Sequence, residues 1–166
     1  MSVPAPLIAA RKMLEGVTPL KFDCGGLCRA ACCAADPDEI TGMLLFPHEE
    51  ELYIGQEKWM GIIPSGLMHQ GKAVPLLYCT KPCPREHRPL ACRIFPLVGT
   101  MRRGKLAVKM DVRGEQVCPL IDSGIKGLNP DFVTAVREVF DALSMVPEYA
   151  AYLQTLGDHL RQYRLF

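Results

Sequence analysis

The chain has 166 residues, 49% of them apolar, and its 19 basic and 18 acidic residues leave a net charge of +1. That length fits a single domain able to bury roughly 70% of its unfolded surface. The near-neutral balance excludes the strongly basic face of a nucleic-acid binder.

No apolar run reaches the ~20 residues of a membrane span. The opening Met1-Ser2-Val3-Pro4-Ala5-Pro6 lacks the basic start and apolar run of a secretory leader. The expectation is a cytoplasmic protein with no membrane partner.

Leu7, Ala10, Leu14 and Val17 recur at spacings of 3 and 4 and predict a short amphipathic helix over 7–17, ended by Gly16 and Pro19. A Gly-rich loop follows, in which Gly25 and Gly26 allow tight wrapping of the backbone. Met43-Leu44-Leu45-Phe46 reads as a buried strand. Pro47 with Glu49, Glu50 and Glu51 suits the start of a helix over 48–58, the glutamates forming a solvated face that complements the dipole. Residues 61–72 carry four glycine or proline residues and read as a loop.

Val74 to Tyr78 predicts a strand that delivers Cys79. The proline-rich run from Cys79 to Pro89 reads as a fixed loop, stiffened by its prolines. Ile94–Met101 and Lys105–Val112 predict a hairpin turning at Arg102-Arg103-Gly104. Its second arm places Leu106, Val108, Met110 and Val112 on one face and Lys109 and Asp111 on the other.

Asn129 as cap, Pro130 at the first turn and Asp131 at the positive end predict a helix with the stripe Phe132, Val136, Val139, Phe140 and Leu143. A second helix from Pro147 carries Tyr149, Leu153, Leu156, Leu160 and Tyr163. The sum is an α+β fold: one small domain over 1–166 with a short hairpin or sheet, cysteine-rich loops across 22–120, and a C-terminal helical pair over 129–165. That pair suits core packing or homo-oligomerisation.

The chemistry lies in the thiols. Cys24, Cys28, Cys32 and Cys33 fall within ten residues, Cys79, Cys83 and Cys92 form a second group, and Cys118 makes eight. Disulfides are rare in the cytoplasm, and neighbours such as Cys32 and Cys33 seldom both find bridge partners. Metal binding is the chemical reason to crowd thiolates, since one centre usually needs four.

Zinc and a [4Fe–4S] cluster both take four thiolates. Cys83-Pro84 and Cys118-Pro119, with arginines near Cys92, lean toward the cluster. Eight thiols make two full sites, or one full site plus reactive or open-position thiols. Adjacent Cys32 and Cys33 point differently, which suggests either service to two metals or that one of them serves a metal and the other does not. Arg29, Lys81, Arg85, Arg88 and Arg93 lie among the cysteines as counter-charge. His87 is the one histidine in a ligand-like position, although a loop histidine bonded to backbone is the plainer reading. His48, His69 and His159 read as surface or structural.

The first cysteine group, the run Cys83…Arg88-Pro89-Leu90-Ala91-Cys92-Arg93-Ile94-Phe95-Pro96 and the trailing Cys118 resemble the CxxCxxCC cysteine-cluster family. These proteins are called YkgJ-type and described as a zinc- or iron-chelating domain. The likeness spans about residues 22–120, with three residues between the first cysteines where the family name has two. The resemblance implies metal ligation by Cys24, Cys28, Cys32, Cys33, Cys79, Cys83, Cys92 and Cys118. A related branch includes flagellin lysine methylases, but this chain has no Gly-rich nucleotide fingerprint.

The leading expectation is an iron–sulfur protein serving electron transfer or a structural or redox centre, with a redox or scaffold protein as partner. The alternatives are a zinc-binding interaction module without catalysis and a metal-dependent enzyme of peptide or protein modification.

Overall fold

The structure is a computed structural model that describes residues 3–33, 42–55, 58–81 and 83–163. Helix α1 runs Ala5–Met13 and buries Leu7 and Ala10, with Leu14 buried just past its end. A single turn, α2 (Gly25–Cys28), and a 3-10 turn (Ala31–Cys33) carry the first cysteines. Strands β1 (Gly42–Leu44), β2 (Met60–His69) and β3 (Lys72–Cys79) form an antiparallel sheet in the order β1-β3-β2.

After α3 (Leu90–Ile94), strands β4 (Leu97–Arg102) and β5 (Lys105–Met110) make a separate hairpin, paired in register from Leu97↔Met110 to Arg102↔Lys105. A short α4 (Leu120–Ser123) precedes the long helices α5 (Pro130–Ser144) and α6 (Pro147–Gln162). The fold is α+β, with small antiparallel sheets and a C-terminal helical pair.

Local physics explains where these elements depart from the sequence reading. The stretch read as a loop over 61–72 is most of β2 and its turn. Gln70 (φ 49°) and Gly71 (φ 78°) both take left-handed backbone, the two-residue turn that matches strand twist. Arg103 (φ 49°) and Gly104 (φ 74°) build the same turn between β4 and β5. Pro64 faces Pro75 across the ladder, and pairing slips between Pro64 and Met68, so the prolines sit where the ladder loosens rather than ending it.

The helix expected over 48–58 is only a 3-10 turn, Glu49–Leu52, entered through His48 in left-handed backbone and followed by Gly55 at φ 73°. Residues 56 and 57 of that prediction lie outside the described residues. The fixed loop over 79–89 includes a 3-10 turn, Arg85–His87, and the hairpin's first arm starts at Leu97, its predicted opening residue Ile94 being the end of α3.

One core joins α1, β4, α5 and α6, with Phe132, Val136, Phe140, Leu143, Tyr149 and Leu153 fully buried. The C-terminal stripes form as expected. Tyr163 is an exception: it is 51% exposed past the end of α6, and Tyr152 holds the buried place on that face. Asn129 caps α5 by accepting the Asp131 N–H at 3.2 Å. Its own N–H donates to the Pro19 carbonyl at 2.7 Å, tying α5 to the segment after α1.

Asp111, placed on the polar face of β5 by alternation, is 2% exposed. It accepts from the Arg113 guanidinium at 2.6 Å and from the Arg113 backbone N–H at 3.0 Å. A buried carboxylate survives there because it is paired and hydrogen-bonded.

The seam between β4 and the helices is tight. A Cβ on Gly99 would overlap the ring of Phe140, itself fully buried against Phe46 at 6.4 Å between ring centroids. Gly99→Ala is expected to lower stability by about 1–3 kcal/mol through overpacking, measured as a shift in urea midpoint at unchanged slope.

Candidate metal centre

The first cysteine segment reverses on itself. Asp23 Oδ1 accepts the Gly25 N–H at 3.2 Å and starts α2. Arg29 (φ 52°) and Ala30 (φ 56°) then take successive left-handed conformations, and the Cys33 N–H closes onto the Ala30 carbonyl at 2.7 Å. Two non-glycine residues in that region are uncommon and store strain of the kind found at ligand sites. The reversal returns Cys32 and Cys33 toward Cys28.

The second group comes from the end of β3 and from α3. Cys79 closes β3 opposite Met60, Cys83 is buried at 6% exposure, and Cys92 lies half-buried in the middle of α3. Cys118 is fixed just before α4, its N–H donating to the Gly114 carbonyl at 2.8 Å.

What holds α3 in place is a residue read from sequence as solvated. Glu49 is fully buried. Its carboxylate accepts the Leu90 N–H at 2.7 Å, the Phe46 N–H at 3.2 Å and the Arg11 guanidinium at 2.8 Å. Arg11 also donates to the Tyr53 hydroxyl at 3.0 Å. Burial pushes the Glu49 carboxyl up, while the Leu90 and Phe46 N–H groups and Arg11 pull it down.

Leu90 opens α3, where backbone N–H groups lack helical partners, so the carboxylate satisfies one of them two residues before Cys92. A signal was present in the sequence. Arg11 falls four residues after Leu7 and three before Leu14, on the apolar stripe of α1, and a charge on a buried stripe needs a partner.

Two small cavities divide the thiols. Cys24, Cys28, Cys32 and Cys118 line one of about 20 Å³, walled by Leu27, Phe95 and Leu120. Cys32, Cys33, Cys79, Cys83 and Cys92 line another of about 30 Å³, closed by Met43 and Leu77 of the sheet. Cys32 belongs to both. All eight predicted ligand residues are therefore placed at two adjoining cavities, drawn from four parts of the chain.

The thiols perturb one another in pairs. A hydrogen bond from the Cys32 thiol raises its own pKa and lowers that of Cys33 to about 6. The Cys79 thiol does the same for Cys83, raising itself and lowering its neighbour. Burial raises Cys92, Cys24 and Cys118. Arg88 is the cation that acts to lower both Cys33 and Cys83. Burial works against the charge on Arg88, but Cys33, Cys83 and Cys92 raise its pKa overall. It also hydrogen-bonds Cys83. Its Nε is buried with no hydrogen-bond partner among the described residues.

The other expected counter-charges turn elsewhere. Arg93 donates to the carbonyls of Arg88, Arg11 and Glu86, Arg85 donates to that of Val17, and Lys81 sits 5.2 Å from the Trp59 ring centroid. His87 lines neither cavity and lies with its ring 6.4 Å from that of Trp59. His48 meets Glu148 at 2.9 Å and His69 meets Thr155 at 2.9 Å, both structural contacts. Among the described residues, no three His, Cys, Asp or Glu side chains are drawn closely enough to grip an ion as they stand. The thiols share cavities without closing to ligand distances.

Removing one partner of the buried pair leaves the other uncompensated. Arg11→Met and Glu49→Ala are each expected to lower stability by about 3–5 kcal/mol, read from urea unfolding. Compared with family models, curated proteins and solved structures, the chain finds no match.

Proposed function

We propose that the protein binds soft or borderline metal at two adjoining four-thiolate centres. One is Cys24, Cys28, Cys32 and Cys118, and the other is Cys33, Cys79, Cys83 and Cys92. The observation that carries this reading is the gathering of eight thiols from four segments around two cavities that meet at Cys32, with the half-buried guanidinium of Arg88 among the thiols and no carboxylate pairing it among the described residues. Neutral thiols would leave Arg88 uncompensated. Metal-bound thiolates carry the negative charge that Arg88 faces.

The cavities, of about 20 and 30 Å³, are up to roughly three times the ~10–15 Å³ that a single water needs, so single zinc or iron ions suit their size, with the thiols closing in to ligand distance. The zinc form would be a structural interaction module. A second reading is a [4Fe–4S] centre for electron transfer, which would require the thiols to move apart. It is favoured by Arg88, whose N–H groups lie beside sulfur as cluster ligation prefers. The resemblance to CxxCxxCC chelating proteins agrees with either. Four thiols per centre leave no open coordination position, which favours a structural or electron-carrying role over metal-dependent modification of peptides.

Anaerobic purification followed by elemental analysis and visible absorption tests the assignment. Colourless protein with zinc supports single ions; brown protein with iron and sulfide supports clusters. Cys28→Ser and Cys92→Ser are each expected to lose metal, about one centre apiece, while the helical signal of α5 and α6 persists in circular dichroism. A Cys92→Ser variant that holds metal like the parent would overturn the ligand set. Arg88→Met is expected to weaken metal retention against a chelator by about 10–100-fold, as loss of an outer-shell partner does.

A further inference from the structure

A third cavity, of about 360 Å³, shares no lining residue with the thiol cavities. It opens between the end of α1, at Arg11, Lys12 and Glu15, and the segment carrying Arg85, Glu86 and Arg93. Four of these side chains are cationic and two are acidic. Glu15, Glu86 and Lys12 are exposed, whereas Arg11, Arg85 and Arg93 are half-buried.

The helix end explains part of this. Arg11 and Lys12 sit in the last turn of α1, where cations complement the dipole. It does not explain Arg85 and Arg93. Among the described residues, Arg11 alone of the four pairs with a carboxylate, the buried Glu49 behind it. Arg93 donates to the carbonyls of Arg88 at 2.9 Å, Arg11 at 3.3 Å and Glu86 at 2.9 Å, and Arg85 donates to that of Val17 at 2.5 Å.

Carbonyls fix the planes of these guanidiniums but bring no negative charge. Each guanidinium has five N–H donors, so several remain on both residues. Like charges held together at a concave surface, with Asp23 offsetting Arg85 and Glu49 offsetting Arg93 only in part, form a preorganised anion receptor.

We propose that this cavity binds a small anion of the phosphate class, a free phosphate or a phosphate monoester. The four cations outnumber the two lining carboxylates, and still do so by one charge when the Glu49 carboxylate paired with Arg11 is included. Arginine forks match phosphate oxygens bidentately. The volume is at the low end of the ~300–1,000 Å³ of small-molecule sites, which leaves room beside the phosphate for a small organic group. This site does not depend on the identity of the metal.

Calorimetric titration of the metal-loaded protein with inorganic phosphate, glycerol 3-phosphate and acetate, at matched ionic strength, tests it. Saturable binding of one or both phosphates without binding of acetate is expected, and tighter binding of the ester would identify a monoester as the ligand. Arg85→Gln should weaken that binding by about 10–100-fold, the loss of a charged hydrogen-bonding partner, with metal content unchanged. Lys12→Gln, at an exposed position that does not endanger folding, should weaken it less. The proposal is overturned if neither phosphate shows saturable heat up to about 10 mM, if acetate competes equally, or if both variants bind as the parent does.

Discussion

Thiols crowded into a small volume cannot all ionise unless positive charge is brought to them, and the organisation of this protein follows from that constraint. Each thiolate raises the proton affinity of its neighbours. Within the protein the conflict is relieved in two ways. Within a pair one thiol donates a hydrogen bond that lowers the pKa of the next, as Cys32 does to Cys33 and Cys79 to Cys83. A guanidinium, Arg88, is held among the sulfurs. A bound metal would take over most of this compensation, because it replaces protons on every sulfur at once.

The supports of the thiols are unequal in kind. The C-terminal helices and the β4–β5 hairpin form a conventional apolar core whose buried residues are not cysteines, apart from Cys24 and Cys118 at its margin. The thiol segments are short turns: α2 has four residues and the flanking 3-10 turns have three each. Elements that short have little stability of their own. They are held by their attachments, and Glu49 is the strongest of these. It joins α1 through Arg11 and α3 through the Leu90 N–H in one buried carboxylate. Loss of a bound metal would thus be a local event at the turns, while damage to Glu49 reaches both the core and the thiol cavities.

Arginines spaced a few residues apart take different roles because the chain around them turns. Arg88 faces several sulfurs, while Arg85 and Arg93 spend hydrogen-bond donors on carbonyls. Even so the two directions are coupled. Arg93 Nε bonds the Arg88 carbonyl at 2.9 Å, so the residue beside the proposed anion cavity positions the backbone of the residue beside the thiols. The short segment between Cys83 and Cys92 therefore serves two surfaces at once.

Local chemistry alone was enough to read much of this chain. The cap of α5, the stripes of α5 and α6 apart from Tyr163, and the turn at Arg103 and Gly104 depend on residues close in sequence, and each is as expected. Long-range contacts decided the rest. Little beside Glu49 reveals that it is buried, because Arg11 and Leu90, two of its three partners, lie 38 and 41 residues away. Strand β2 carries Pro64 and two glycines and reads as a loop until β3 supplies its ladder. The division of the thiols into two cavities meeting at Cys32, and the choice of Arg88 over its neighbours as their cation, depend on where β3, α3 and α4 end in space. Spacing in a sequence shows that thiols are crowded; only packing decides which of them share a cavity.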